Sequence, residues 1–339
     1  MLDDSNSEDW VKLQDAPDMP NLRFRRFRGE SDYAEIVAVV EGTRESDQLE
    51  VTMSIDDVAR EFEHTQNCDP YRDFLFAEMN GRVIGYTRLW WSKDPNGIYL
   101  YNHFVDLLPE WRGKGIRNVM LRHNEAKLRE IAGVHPADAA RLYQSMAQDS
   151  EKDWISVLVN EGYNVFRYGF RMKRPDLENV PDLSLPDGIE VRSVKPEHYP
   201  AIVGTWNEAC KDMRGQIPIS DEDFKGFQES PIFNPSIWQI AWHKNDVVGT
   251  VMNFIDEQEN KQYNRKRGHV EMISVQRLWR SRGIAKALIA RSLKLLKDHG
   301  MKEAALGVDA ENPSGALHLY QKMGFQIEKR VAFYRKPLS

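Results

Sequence analysis

Two stretches of the chain carry residue types and spacing suited to holding an anion. The first is Trp111-Arg112-Gly113-Lys114-Gly115-Ile116-Arg117, and the second is Trp279-Arg280-Ser281-Arg282-Gly283-Ile284-Ala285. Each follows a run with strand character and opens a run with the apolar spacing of a helix. A helix N-terminus presents unpaired N–H groups and a partial positive charge, which suits a phosphate or pyrophosphate. Gly283 and Ala285 keep side chains out of the way, while Arg280 and Arg282 can add charge-assisted contacts. The first copy ends in Arg117 where the second has the small Ala285. Arg117 either crowds the cradle or turns outward to bind a phosphate itself.

The elements that must position these loops also occur twice. Arg112 and Arg280 are 168 residues apart. Gly81-Arg82-Val83-Ile84-Gly85-Tyr86 resembles Asn245-Asp246-Val247-Val248-Gly249-Thr250, each reading as a tight turn into a strand. Glu161-Gly162-Tyr163 matches Met323-Gly324-Phe325, and each glycine is followed thirteen residues later by a proline, Pro175 or Pro337. Landmarks repeating in one order indicate a duplicated domain. The expected division is an acidic tail over 1–20, a first domain over 21–174, a linker over 175–188 and a second domain over 189–339.

In the first domain, Leu22 to Arg28, Phe74 to Glu78, Val83 to Trp91, Tyr99 to Leu107, Leu142 to Ala147 and Phe166 to Met172 read as strands. In the second, strands are expected at Ile189 to Val194, Trp238 to Trp242, Val247 to Phe254, Val270 to Val275 and Ala304 to Val308. Val331 to Lys336 is expected to close that sheet. Helices are expected after Pro196, after the cap candidate Ser220, over Ile284 to His299 and over Ala316 to Met323. The charged stretch Asp256 to Arg267 reads as the extended tip of a hairpin. The fold class is α/β (α+β): two domains, each a mixed, mostly antiparallel twisted sheet flanked by helices.

Strand, Arg280-x-x-Gly283-x-Ala285, helix, then Asn312, Tyr320 and Gly324-Phe325 follow one another in the second domain. This succession resembles the acetyl-CoA signature of the GNAT acetyltransferases. The resemblance covers nearly all of the second half and most of the first. It implies that acetyl-CoA is the acyl donor, with its pyrophosphate on Arg280, Ser281, Arg282, Gly283, Ile284 and Ala285. The pantetheine arm would pair with the backbone of the preceding strand at Ile273, Ser274 and Val275. Asn312 either bonds the pantetheine amide or caps the helix before Pro313.

The resemblance further implies direct transfer of acetyl to a primary amine. Glu271 would serve as the base that deprotonates the amine, and Tyr320 as the acid that protonates the leaving thiolate. Period-2 geometry is expected to put Glu271 on the face of Ile273 and Val275. In the first domain the counterpart of Glu271 by counting is His103, and that of Tyr320 is Leu158, which has no proton to give. That domain therefore reads as degenerate. Val105, Leu107, Arg112, Gly113, Lys114, Gly115, Ile116 and Arg117 would form at most a second, weak donor site. Two alternatives are an acyl-CoA sensor without catalysis and an enzyme with both domains active.

The bulk properties fit this reading. The chain has 339 residues, enough for two cores, and a net charge of −6, which argues against nucleic acid or an anionic membrane as partner. The two cysteines, Cys68 and Cys210, lie far apart in sequence and read as reduced thiols of a cytoplasmic protein. The opening residues lack the basic flank and apolar core of a signal peptide. No metal is expected. The expected acceptor is a small-molecule or peptide amine, and the expected state is monomer or homodimer.

Overall fold

The structure is a computed structural model and describes residues 9–212, 217–312 and 314–338. It divides into two compact units, one running to Phe166 and resuming at Ala332, the other spanning Arg167–Val331.

In the first unit, β1 (Leu22–Arg25), α1 (Tyr33–Arg44), α2 (Ile55–Glu63), α3 (Pro70–Asp73), β2 (Phe74–Met79), β3 (Arg82–Lys93), β4 (Tyr99–Leu107), α4 (Ile116–Ala132), β5 (Arg141–Gln148) and α5 (Lys152–Asn160) follow in order. Strands β1 to β4 are antiparallel neighbours, and β5 adds parallel to β4. Phe27, Ile36, Val39, Val58, Phe74 and Phe76 form a core between the sheet and the first helices. Ser54 and Asp57 form a capping box at the start of α2, which satisfies N–H groups that a helix start leaves open.

β6 (Asn164–Arg174) leaves this unit at Phe166. The second unit then contains β7 (Ile189–Val191), α6 (Tyr199–Cys210), α7 (Asp221–Gln228), β8 (Gln239–His243), β9 (Asp246–Phe254), α8 (Glu257–Gln262), β10 (Arg267–Val275), α9 (Ile284–Asp298), β11 (Glu303–Asp309) and α10 (Ala316–Lys322), before β12 (Gln326–Pro337). Again the early strands are antiparallel and β11 runs parallel to β10. The buried stripe of α9, including Ile284, Leu288, Leu293 and Leu296, packs on the sheet with Val248, Val270 and Leu306. Ser220 caps α7 through a box with Asp223.

The structure differs from the expected boundaries and elements at four places. First, the closing strands are exchanged. The β6 stretch Gly169–Arg174 pairs antiparallel with β11 of the second unit. The part of β12 from Ala332 neighbours β5 of the first, where Arg335 bonds Gln144 (2.8 Å) and Lys336 bonds Glu125 (2.8 Å). Alternation marks a strand but not its partner. Second, the 175–188 segment is docked rather than free. Leu177 is buried in the core of the second unit, and Arg174 donates to the carbonyls of Met323, Asp176 and Asn179. Third, Asp256 caps a short helix, α8, where an extended hairpin tip was expected. Finally, the described part of the tail, from Asp9, runs beside β1. There Val11 bonds Phe24 (2.8 Å), Leu13 is buried, and Trp10 lies under the guanidinium groups of Arg23 and Arg28. Its apolar residues override its acidic composition.

Candidate active site

In each unit two parallel strands begin paired and then part. β10 and β11 are paired from Arg267↔Glu303 to His269↔Ala305, and β4 and β5 from Tyr99↔Arg141 to Asn102↔Gln144. Each splay opens toward a motif loop and the helix after it. Gly115 and Gly283 stand at the N-caps of α4 and α9 in the left-handed region (φ 83° and 85°), and neither helix has a side-chain cap. Ser281 and Gly113 also have positive φ (61° and 70°). A Cβ built on Gly283 would meet nothing within 4 Å, so this glycine is needed for its backbone angle and leaves space above the helix start.

The motif arginines do not reach into that space. Arg280 donates from Nε to the Val275 carbonyl (3.0 Å) and pairs through Nη2 with Asp212 (2.6 Å). Arg277 also bonds Asp212, and these hydrogen bonds hold that carboxyl down at about 2. Arg112 repeats the arrangement, with Nε on the Leu107 carbonyl (3.0 Å) and a bidentate pair to Asp47 (2.6 and 2.7 Å). Arg280, expected at the phosphates, here forms a strap from strand end to helix end. Arg282 and Lys114 instead lie over the rings of Trp279 and Trp111.

The two straps differ in burial. The Arg112–Asp47 side chains are 13% and 5% exposed, those of Arg280–Asp212 35% and 24%. Arg112→Met should therefore cost about 3 kcal/mol in urea unfolding, because it strands a buried carboxylate. Arg280→Met should cost about 1 kcal/mol or less.

Within the second unit, β10 carries a bulge. Glu271 pairs with Met252 and Ser274 with Thr250, so Met272 and Ile273 together oppose Val251. Met272 takes a positive φ of 49°. Thr250 holds the bulge, its Oγ1 donating to the Met272 carbonyl (2.7 Å) and lying 2.7 Å from Ser274 Oγ. Partners across a rung share a face, and Thr250 and Met252 are two residues apart, so Glu271 shares the face of Ser274. The expectation that it shares the face of Ile273 and Val275 fails because the bulge inserts one residue. Ile273 and Val275 pack against the α9 core.

Glu271 bridges the mouth of the splay. Its Oε1 accepts the N–H of Gly307 on β11 (3.1 Å). Burial raises its carboxyl to about 7, against the lowering effects of His269, the Gly307 N–H and Arg171. His269 lies 3.3 Å from Glu259, which Arg265 also holds. Tyr320 is 5% exposed and sits edge-on to Phe325. Burial, and secondarily the charge of Glu271, push its phenol well above the usual range, so it stays protonated at neutral pH. Asn312 accepts from the N–H and hydroxyl of Ser314 (2.9 and 2.6 Å), a turn contact ahead of α10.

The first unit keeps the splay but fills it. Arg117 is 3% exposed. It neither crowds from above nor turns outward. Its Nε donates to the Val105 carbonyl (2.9 Å), its Nη1 to Asp153 (2.8 Å), and its guanidinium lies 5.3 Å from the ring centre of buried Trp154. Counting from the motif, Arg117 corresponds to Ala285. Counting back nine and eight residues from Gly162 and Gly324, Asp153 and Trp154 correspond to Gly315 and Ala316. Three small residues stand in the second unit where the first has an interlocked trio. A Cβ built on Gly315 would meet nothing within 4 Å.

β4 also has no bulge, its register with β3 being unbroken from Gly85↔Leu107 to Lys93↔Tyr99. Gly85 and Gly249 hold equivalent rungs, opposite Leu107 and Val275, and three residues on the partners are Phe104 and Glu271. The ladder counterpart of Glu271 is thus Phe104 and not His103. His103 is buried, 2.7 Å from the Tyr163 hydroxyl, and burial lowers its ring to about 3, leaving it neutral. Leu158 is fully buried. The bulge and the Arg117–Asp153–Trp154 trio are the features that sequence reasoning missed. Arg117 in place of a small residue, and the bulky residues at positions equivalent to Gly315 and Ala316, were the available signals.

The acetyltransferase (GNAT) family model matches residues 40–146 and 203–325, and the chain belongs to this family. It is a tandem N-acetyltransferase. A mycothiol acetyltransferase of Streptomyces bingchenggensis is 25% identical over 77% of this chain and 80% of its own length. The mycothiol acetyltransferase of Thermobispora bispora is 28% identical over 78% and 83%. Among solved structures, a GCN5-related N-acetyltransferase from Sphaerobacter thermophilus superposes with a TM-score of 0.73 at 22% identity, covering 96% of this chain and 97% of that one. A tandem GNAT protein from the clavulanic acid pathway gives 0.65 at 16% identity, covering 94% and 99%. These two show the shared fold. GNAT enzymes use acetyl-CoA as donor, and acetyl transfer is the chemistry of the family. Among the described residues no helix is long and apolar enough to cross a membrane.

Proposed function

We propose that this protein transfers acetyl from acetyl-CoA to a primary amine at a single active centre in the second unit. The observation that carries this reading is the contrast between the splays: Ala285, Gly315 and Ala316 leave one open beside Glu271 and Tyr320, while Arg117, Asp153 and Trp154 close the other. The uncapped start of α9 with Ser281, Arg282 and Gly283 suits the pyrophosphate. The bulged backbone at Met272 and Ile273 suits the pantetheine arm and the thioester carbonyl.

An alkyl ammonium with a pKa near ~10 is neutral in only about a thousandth of molecules at pH 7. Glu271, with a carboxyl raised to about 7, accepts the amine proton. The amine nitrogen then bonds to the thioester carbonyl carbon and the carbon–sulfur bond breaks. The departing thiolate takes the Tyr320 hydroxyl proton, the acylated nitrogen gives up its surplus proton to restore the Tyr320 hydroxyl, and Glu271 releases the first proton to solvent, leaving amide, thiol and free enzyme. A carboxyl near neutrality is well matched to the first step, and a phenol kept protonated to the last. The first unit serves the fold and leaves the donor to the second.

Steady-state thioester turnover across a panel of primary amines tests this. Tyr320→Phe should lower kcat about tenfold to a hundredfold while sparing acetyl-CoA binding. Unchanged kcat would take Tyr320 out of the mechanism. Tight acetyl-CoA binding with no amine acetylated would favour a sensor.

A further inference from the structure

One cation beside Glu271 enters no ion pair among the described residues. Arg171 lies on the stretch of β6 that pairs with β11, directly opposite Gly307. The N–H of Gly307 holds Glu271, and a Cβ built on Gly307 would stand 3.8 Å from Glu271 Oε2. The absent side chain of Gly307 therefore marks the face on which the carboxylate lies. Residues opposite one another on neighbouring strands project to the same face, so Arg171 stands on the Glu271 face, and it is exposed. Its charge also opposes the rise in the Glu271 carboxyl. The neighbouring charges are spent on one another: Arg167 with Asp309 (2.6 Å), Lys173 with Glu328 (3.0 Å) and His269 with Glu259 (3.3 Å). Among the described residues Arg171 enters no ion pair.

We propose that Arg171 receives a carboxylate of the acceptor, so that the substrate class is an amine that also bears a carboxylate. The inference rests on the reading of Glu271 as the base that meets the amine. A guanidinium presents a planar fork that matches a carboxylate in bidentate fashion. Docked there, the acceptor's anion would be compensated, and its amine would lie toward Glu271. A polyamine would bring a second positive charge toward the Arg171 guanidinium and be disfavoured.

The test uses ω-amino acids of graded length, each as the free carboxylate and as the primary amide, with a polyamine alongside. For the wild-type enzyme, kcat/KM for the carboxylate of the best length should exceed that for its amide by about tenfold or more, the range of a hydrogen bond to a charged group. Arg171→Gln should bring the ratio close to one, and Arg171→Lys should keep part of it. Equal turnover of carboxylate and amide by the wild type overturns the proposal whether or not the variants fold. A preference that survives Arg171→Gln also overturns it. If the amides are acetylated well and Glu271→Gln still abolishes turnover, the acceptor class falls while the transferase reading stands. If no amine is acetylated although acetyl-CoA binds, the transferase reading falls and takes the acceptor class with it.

Discussion

Glu271→Gln should lower kcat/KM by about a hundredfold or more, the span expected when a positioned general base is removed. The glutamine oxygen can still accept the Gly307 N–H, so the bridge from β10 to β11 is kept and acetyl-CoA binding should be unchanged. The stronger signature is in pH. The carboxyl sits at about 7 because burial disfavours its charged form. It works as a base only when ionised, so kcat/KM should climb as pH rises through that value and be lost as pH falls below it. The variant should lack this limb. A loss of activity with the limb intact would assign it to another group, and full activity would remove Glu271 from the mechanism. Ionisation of the acceptor amine, with a pKa near ~10, adds a separate limb at higher pH.

Ala285→Arg should remove most donor binding. The first unit supplies the template, for Arg117 occupies the corresponding place and spans from the Val105 carbonyl to Asp153. In the second unit the position equivalent to Asp153 is Gly315, which offers that side chain no carboxylate. A long cationic side chain would then lie across the open splay. Overpacking on this scale costs about 1–3 kcal/mol, or about tenfold to a hundredfold in Kd. Calorimetric titration with acetyl-CoA reads this directly, and an unchanged Kd would mean the donor lies elsewhere. The reverse change, Arg117→Ala, leaves Asp153 and Trp154 in place and should add no second donor site.

Much of the fold could be read from the sequence, since strands and helices announce themselves by period. Tyr99–Leu107 was legible to the residue, and the cap at Ser220 and the stop at Gly324 were legible from residue type. Three features were not, each for a physical reason. The exchange of β6 and β12 depends on which edge a strand joins, and Phe170 and Met172 alternate in the same way beside either. The bulge depends on Met272 accepting a positive φ that glycine or asparagine would have advertised. It shifts the register by one, which moves Glu271 to the other face and breaks the match with His103. The direction of Arg117 depends on Asp153, a partner 36 residues away. A substitution at a cradle position could be seen in sequence; that it turns inward and locks the splay could not.

The central claim is one donor site per chain, in the second unit. The direct measurement is the stoichiometry of acetyl-CoA binding to the full chain by isothermal titration calorimetry, repeated with Ala285→Arg. The wild type should bind one equivalent, and the variant should bind about tenfold to a hundredfold more weakly. Two equivalents for the wild type, or an unchanged Kd for Ala285→Arg, would contradict it.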